Sequence, residues 1–229
     1  MWTPLSLAEI RVLATLIEKH ITTPEYYPMT LNALVNACNQ KTNRDPVTNL
    51  SETEVIQAFD AAVKQGLARI VDEGASRVVK HRERLTEVLA LNAAQRAILC
   101  ELMLRGAQTA GELKSRAERM YKFASVAEVE ATLNSLIARS TADEHGGTGE
   151  QHKPLVVRLP RQPGQKEARF MHLLAGELEL TQAKNNAALA DGTNDHAKRV
   201  EQLEAHVATL KHELDELRAE FLQFKRQFE

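Results

Sequence analysis

Two stretches, SETEVIQAFDAAVK at residues 51–64 and SVAEVEATLNSLIA at residues 125–138, decide how this chain reads. Each opens on a serine with a glutamate three positions later, the capping-box pattern whose side chains satisfy free amides at a helix start. Behind the caps, Val55, Ile56, Phe59, Ala62 and Val63 in one and Val129, Leu133, Leu136 and Ile137 in the other recur at helical spacing as an inward face. The segments before them repeat too. Ser6 with Glu9 caps a series containing Ile10, Leu13, Leu16 and Ile17; 86 positions on, Asn92 with Gln95 caps Ile98, Leu99, Leu102 and Met103. Thr30 opens a second helix with Leu31 and Leu34 inward, and Thr109 opens its counterpart with Ala110 and Leu113. Strand-prone runs follow each trio, at 68–71 and 77–80 in the first half and at 155–159 and 169–174 in the second.

Helix, helix, helix, hairpin is the winged helix-turn-helix order, and here it occurs twice. The expectation is a mainly α protein with small β-hairpin wings. Winged-helix domains occupy residues 1–86 and 87–176, a linker rich in Asn, Asp and Gly spans 177–195, and a coiled-coil helix fills 196–229.

Residues 21–47, ITTPEYYPMTLNALVNACNQKTNRDPV, form the least generic segment. Pro24 and Pro28 fix the backbone on either side of Glu25, Tyr26 and Tyr27, so the tyrosines either pack between the first two helices or present rings to a partner. In the turn Asn43-Arg44-Asp45-Pro46, the Asn and Asp side chains can satisfy the backbone while Arg44 either pairs with an acid or projects outward. The segment resembles the signature of the YceH family of bacterial proteins. That resemblance covers about residues 5–177 and implies two winged-helix units, but no activity.

Near the C-terminus the period changes to seven. Val200, Val207, Leu214, Phe221 and Phe228 hold one seam position and Leu203, Leu210, Leu217 and Phe224 the other. A narrow stripe of this kind suits a coiled coil better than a single docked amphipathic helix. In a parallel dimer it would set Arg199 against Glu204, Glu213 against Arg218 and Glu220 against Lys225, so a homodimer is expected.

Composition bounds the function. The chain has 229 residues and a formal net charge of −2, with 10 basic and 10 acidic residues in 1–86, 12 and 10 in 87–176, and 7 and 11 in 177–229. No block is basic enough for a bulk-charge grip on nucleic acid. No apolar run reaches the roughly 18 residues of a membrane span, and no secretory signal opens the chain, which points to the cytoplasm. Cys38 and Cys100 lie inside apolar helical patterns and read as small buried hydrophobes. Gly146-Gly147-Thr148-Gly149 lacks the lysine of a phosphate-binding loop, and His145 with His152 is too sparse a donor set for a metal site. No catalytic constellation, metal or cofactor is expected.

The expected function is DNA binding of a transcription-regulator kind, with a protein-interaction or scaffold module as the alternative. The third helices show Glu52, Glu54, Asp60, Glu128 and Glu130 outward, and carboxylates repel phosphates. Candidate DNA contacts therefore come from loops and wings: Lys41 and Arg44 ahead of the third helix; Arg77, Lys80, Arg82 and Arg84 in and after the first wing; Lys114, Arg116, Arg119 and Lys122 along and past the fifth helix.

Overall fold

A computed structural model of the chain describes residues 3–71, 79–139, 153–161 and 165–176, all within one compact unit. The expected linker and heptad helix, the glycine loop with its two histidines, and Arg77 lie outside the described residues.

The described chain is mainly helical, with two small antiparallel sheets. Its first half runs α1 (Leu7–Thr22), a 3-10 turn at Pro24–Tyr26, β1 (Met29–Thr30), α2 (Leu31–Cys38), α3 (Glu52–Lys64), β2 (Ala68–Val71) and β3 (Lys80–Glu83). A short α4 (Leu85–Val88) leads to α5 (Ala93–Arg105), α6 (Ala110–Ala117), α7 (Val126–Ile137), β4 (Val156–Arg158) and β5 (Phe170–His172). Helix starts fall where local chemistry puts them. Full capping boxes form at Ser6/Glu9, Ser51/Glu54, Asn92/Gln95 and Thr109/Glu112. At Ser125 only half the box forms, because the Glu128 carboxylate accepts instead from the Ala124 amide at 2.7 Å.

Two expectations are corrected. The second strand of the first hairpin is Lys80–Glu83, three residues later than 77–80, because KHRE hides a strand alternation in polar letters: His81 and Glu83 are buried while Lys80 and Arg82 turn outward. Ile56, read as inward, is 36% exposed; Val55, Ala58, Phe59 and Ala62 form the buried face of α3.

Helices α1 and α5 sit at the centre. Every residue from Glu9 to Glu18 and from Ala97 to Leu104 is buried, so these helices are covered all round and not along one stripe. One face of α1 packs on α3 and α2, another on α5; α5 in turn carries α6 and α7. The two halves thus share one apolar core, in which Leu13, Leu16, Leu34 and Phe59 join Leu99, Leu102, Leu113 and Leu133. Ala14 and Cys100 meet where α1 crosses α5, the thiol donating to the Ala14 carbonyl at 3.3 Å. They are counterparts under the same offset as Ser6 and Asn92, so like positions touch, as at the axis of an isologous pair.

The first sheet has the order β1-β3-β2, with Met29 opposite His81 and Ala68 to Val71 opposite Glu83 to Lys80. The second is the β4-β5 pair, Val156 opposite His172.

Candidate functional site

Charge is distributed over this fold in two very different settings. The first is a buried knot between the two central helices. Glu18, near the end of α1, is fully buried, and Arg44 reaches it from the loop after α2. Arg44 Nη1 donates to Glu18 Oε1 at 3.1 Å and Nη2 to Oε2 at 2.5 Å, while the same nitrogens donate to the carbonyls of Asn43 at 2.9 Å and Ala37 at 2.8 Å. Arg119, from the corresponding loop of the second half, also donates to Glu18 and bridges on to Glu101 of α5 at 2.7 Å. Arg105 closes the set, 3.4 Å from Glu101 and donating to Asn43 Oδ1 at 2.9 Å. Asn43 takes a left-handed backbone (φ 58°), a conformation that asparagine tolerates better than most residues.

The two carboxylates of the knot titrate in opposite senses. Burial pushes Glu18 up, but two arginines more than offset it and hold the group below the ordinary carboxylate range. Burial dominates at Glu101, which Arg119 and Arg105 only partly compensate, so its pKa is raised. Arg44 is therefore not a surface cation. Arg119 keeps only 27% of its side chain exposed and is held by both acids. The open question at Arg44 resolves as pairing with an acid, so Arg44, buried with its donors committed inside, has none to offer a phosphate, whereas Arg119 gives two of its five N–H donors to the knot and remains an exposed residue.

The second setting is the outer face of the three-stranded sheet. Antiparallel register places Arg69 directly opposite Arg82, and Lys80 lies two residues from Arg82 on the same face, opposite Val71. Directly opposed side chains have Cβ atoms roughly 5 Å apart, and like charges in that position destabilise a ladder. Arg82 donates to Glu87 at 3.1 Å, and Arg84 lies 3.6 Å from the same carboxylate. One glutamate is therefore shared by two of the arginines in this cationic cluster. Arg69, exposed on the edge strand, is absent from the candidates that the sequence suggests; its place opposite Arg82 exists only once the strands pair.

The inner side of this sheet anchors the signature segment. Tyr27 accepts a hydrogen bond from the Glu83 amide at 2.9 Å, and its ring stacks on His20 with centroids 4.5 Å apart. Burial raises the phenol's pKa. Glu83 is buried and accepts from the Thr86 hydroxyl at 2.6 Å, with His20 Nδ1 3.7 Å away; these groups outweigh its burial and lower its pKa. The tyrosines thus divide. Tyr27 packs, whereas Tyr26 is 74% exposed.

Of the remaining candidates, Lys41 and Lys122 are exposed, three residues before Arg44 and three after Arg119. Both loops are tied to Glu18, and each lysine lies within about 10 Å of chain from the arginine that makes the tie. Arg116 is turned inward to Gln108 at 2.8 Å and Glu112 at 3.5 Å, and Lys114 is half-buried.

Residues 5–165 match the family model described as a protein of unknown function, DUF480. The chain belongs to the DUF480 family. In this DUF480 protein no cluster of three or more metal-ligating side chains occurs among the described residues, and no described helix is long and apolar enough to cross a membrane. Burial raises the thiol of Cys38 to about 11 and that of Cys100 well above its ordinary value, the opposite of what a nucleophilic cysteine needs.

Proposed function

We propose that this protein binds duplex DNA as a transcription-regulator-like, cytoplasmic, tandem winged-helix protein of the YceH type, and that the outer face of its first wing grips the phosphates. In this reading the wing is the β2–β3 ladder. The observation that carries the proposal is the Arg69–Arg82 opposition with Lys80 beside it. Directly opposed arginines disfavour the ladder in the free protein, and a polyanion would relieve the part of that repulsion that Glu87 leaves at Arg82. Phosphate contact by a wing also fits third helices whose exposed faces carry Glu52, Glu54 and Asp60 on α3 and only Glu130 as a fully exposed charge on α7.

The test is the salt dependence of duplex binding, followed by fluorescence anisotropy. Arg69→Ala, Lys80→Ala and Arg82→Ala should each remove one phosphate interaction and flatten the slope of log affinity against log salt by about 0.9, similarly for every sequence. Absence of salt-dependent binding by the wild type at low ionic strength removes the proposal. One observation favours a second reading, a protein-interaction module: Ile56 is exposed in the middle of the acidic face of α3. The same proposal includes homodimerisation through the heptads of residues 196–229, which light scattering on a chain ending at Gly192 would test by showing a monomer.

A further inference from the structure

We infer that Tyr26 is a stacking platform for an unpaired base, so that the preferred DNA carries single-stranded nucleotides beside the duplex held by the first wing. This deepens the DNA-binding proposal and rests on it. Tyr26 is 74% exposed, yet its backbone is fixed: its amide donates to the Thr23 carbonyl at 3.0 Å, and the following amide donates to the Pro24 carbonyl at 3.2 Å. Its neighbour Tyr27 is pinned on both sides, by the His20 ring and by the amide of Glu83. With the backbone on both sides of it held, Tyr26 has only its two side-chain torsions to lose on binding, which is what makes tyrosine an effective contact.

Position selects the ligand. Glu83, whose amide donates to the Tyr27 hydroxyl, lies between Arg82 and Arg84 in the chain, so Tyr26 is one residue removed from a contact with the backbone that carries both arginines. From there the base of a nucleotide can reach the ring while its phosphate reaches the arginines, the combination of basic groove and aromatic face used for single strands. Glu25, exposed on the other side of Tyr26, disfavours a phosphate at the ring itself and leaves the uncharged base as the group that fits there.

The experiment measures anisotropy of two labelled DNAs, a blunt duplex and the same duplex with about five unpaired nucleotides at one end. Wild-type protein should prefer the overhang. Tyr26→Ala and Tyr26→Ser should weaken overhang binding by about 5- to 150-fold, the range that stacking of one base supplies, and leave the blunt duplex unchanged. Tyr26→Trp should retain the preference. Circular dichroism melts of the variants should match wild type, since the ring supports nothing in the fold. Equal losses on both DNAs, or none on either, overturn the stacking inference while salt-dependent duplex binding keeps the wing proposal standing. Failure of the wild type to bind either DNA overturns both.

Discussion

Replacing Arg44 by methionine tests the buried knot directly. The side chain keeps its apolar stem, but Glu18 loses two hydrogen bonds and the carbonyls of Ala37 and Asn43 lose their donor, all in a region closed to water. Breaking one side of a buried ion pair costs about 3–5 kcal/mol, because the abandoned carboxylate stays buried. Arg119 remains on Glu18 and limits the loss toward the lower end. For a chain of this length 1 kcal/mol corresponds to about 2–4 °C, so Arg44→Met should melt about 6–20 °C below wild type at pH 7 by circular dichroism. Lys41→Ala, on the same loop but exposed, should melt within about 2 °C of wild type. Glu18→Gln combined with Arg44→Met should cost less than the two changes separately, since each removes the charge that the other strands. If Arg44→Met melts like Lys41→Ala, the knot contributes nothing and Arg44 returns to the set of candidate surface contacts.

Other outcomes follow from the same structure. His172 is buried on β5 and burial lowers its pKa to about 4, so stability it confers is complete above about 6.5 and is lost as pH falls toward 4; this amounts to about 3 kcal/mol. His172→Leu should flatten urea-midpoint profiles across that window. Glu18, with its lowered pKa, adds a loss in the same direction below about 4.5, whereas Glu101, with its raised pKa, adds a gain as pH falls toward about 4.5 that is complete before that loss begins. Arg69→Ala should raise the melting temperature slightly, by relief of the opposition to Arg82, while weakening DNA binding; a lower melting temperature would refute the cross-strand argument. Glu52→Gln with Asp60→Asn should tighten duplex binding and reduce its salt sensitivity little; Glu54 is spared because its carboxylate caps α3.

How much of this is legible in the sequence depends on the range of the interaction involved. Helix starts are readable because Ser6, Ser51 and Asn92 are satisfied by partners three residues away. Strand β1 is invisible there: two residues, Met29 and Thr30, become a strand only because β3 lies beside them. Arg44 and Arg119 carry no local mark of their place in the knot, since their shared partner Glu18 is 26 and 101 residues distant. Arg69 is hidden for the same reason. Ile56 is misplaced because a face assigned by spacing alone can rotate by a fraction of a turn, and the tighter packing of Ala58 and Phe59 settles which side turns inward.

The sharing of Glu18 bears on how the molecule could be divided. One carboxylate serves as counter-ion to two arginines, one from each half, and each half also leaves a full face of its central helix against the other. A chain severed after β3 would yield a first fragment with half its counter-ions missing and a second with Arg119 and Glu101 stripped of their third member. Each piece alone would expose the face of its central helix that the other half covers. Supplied together, the two pieces should recombine through that shared face and carboxylate, so a break at the joint around α4 is expected to be tolerated.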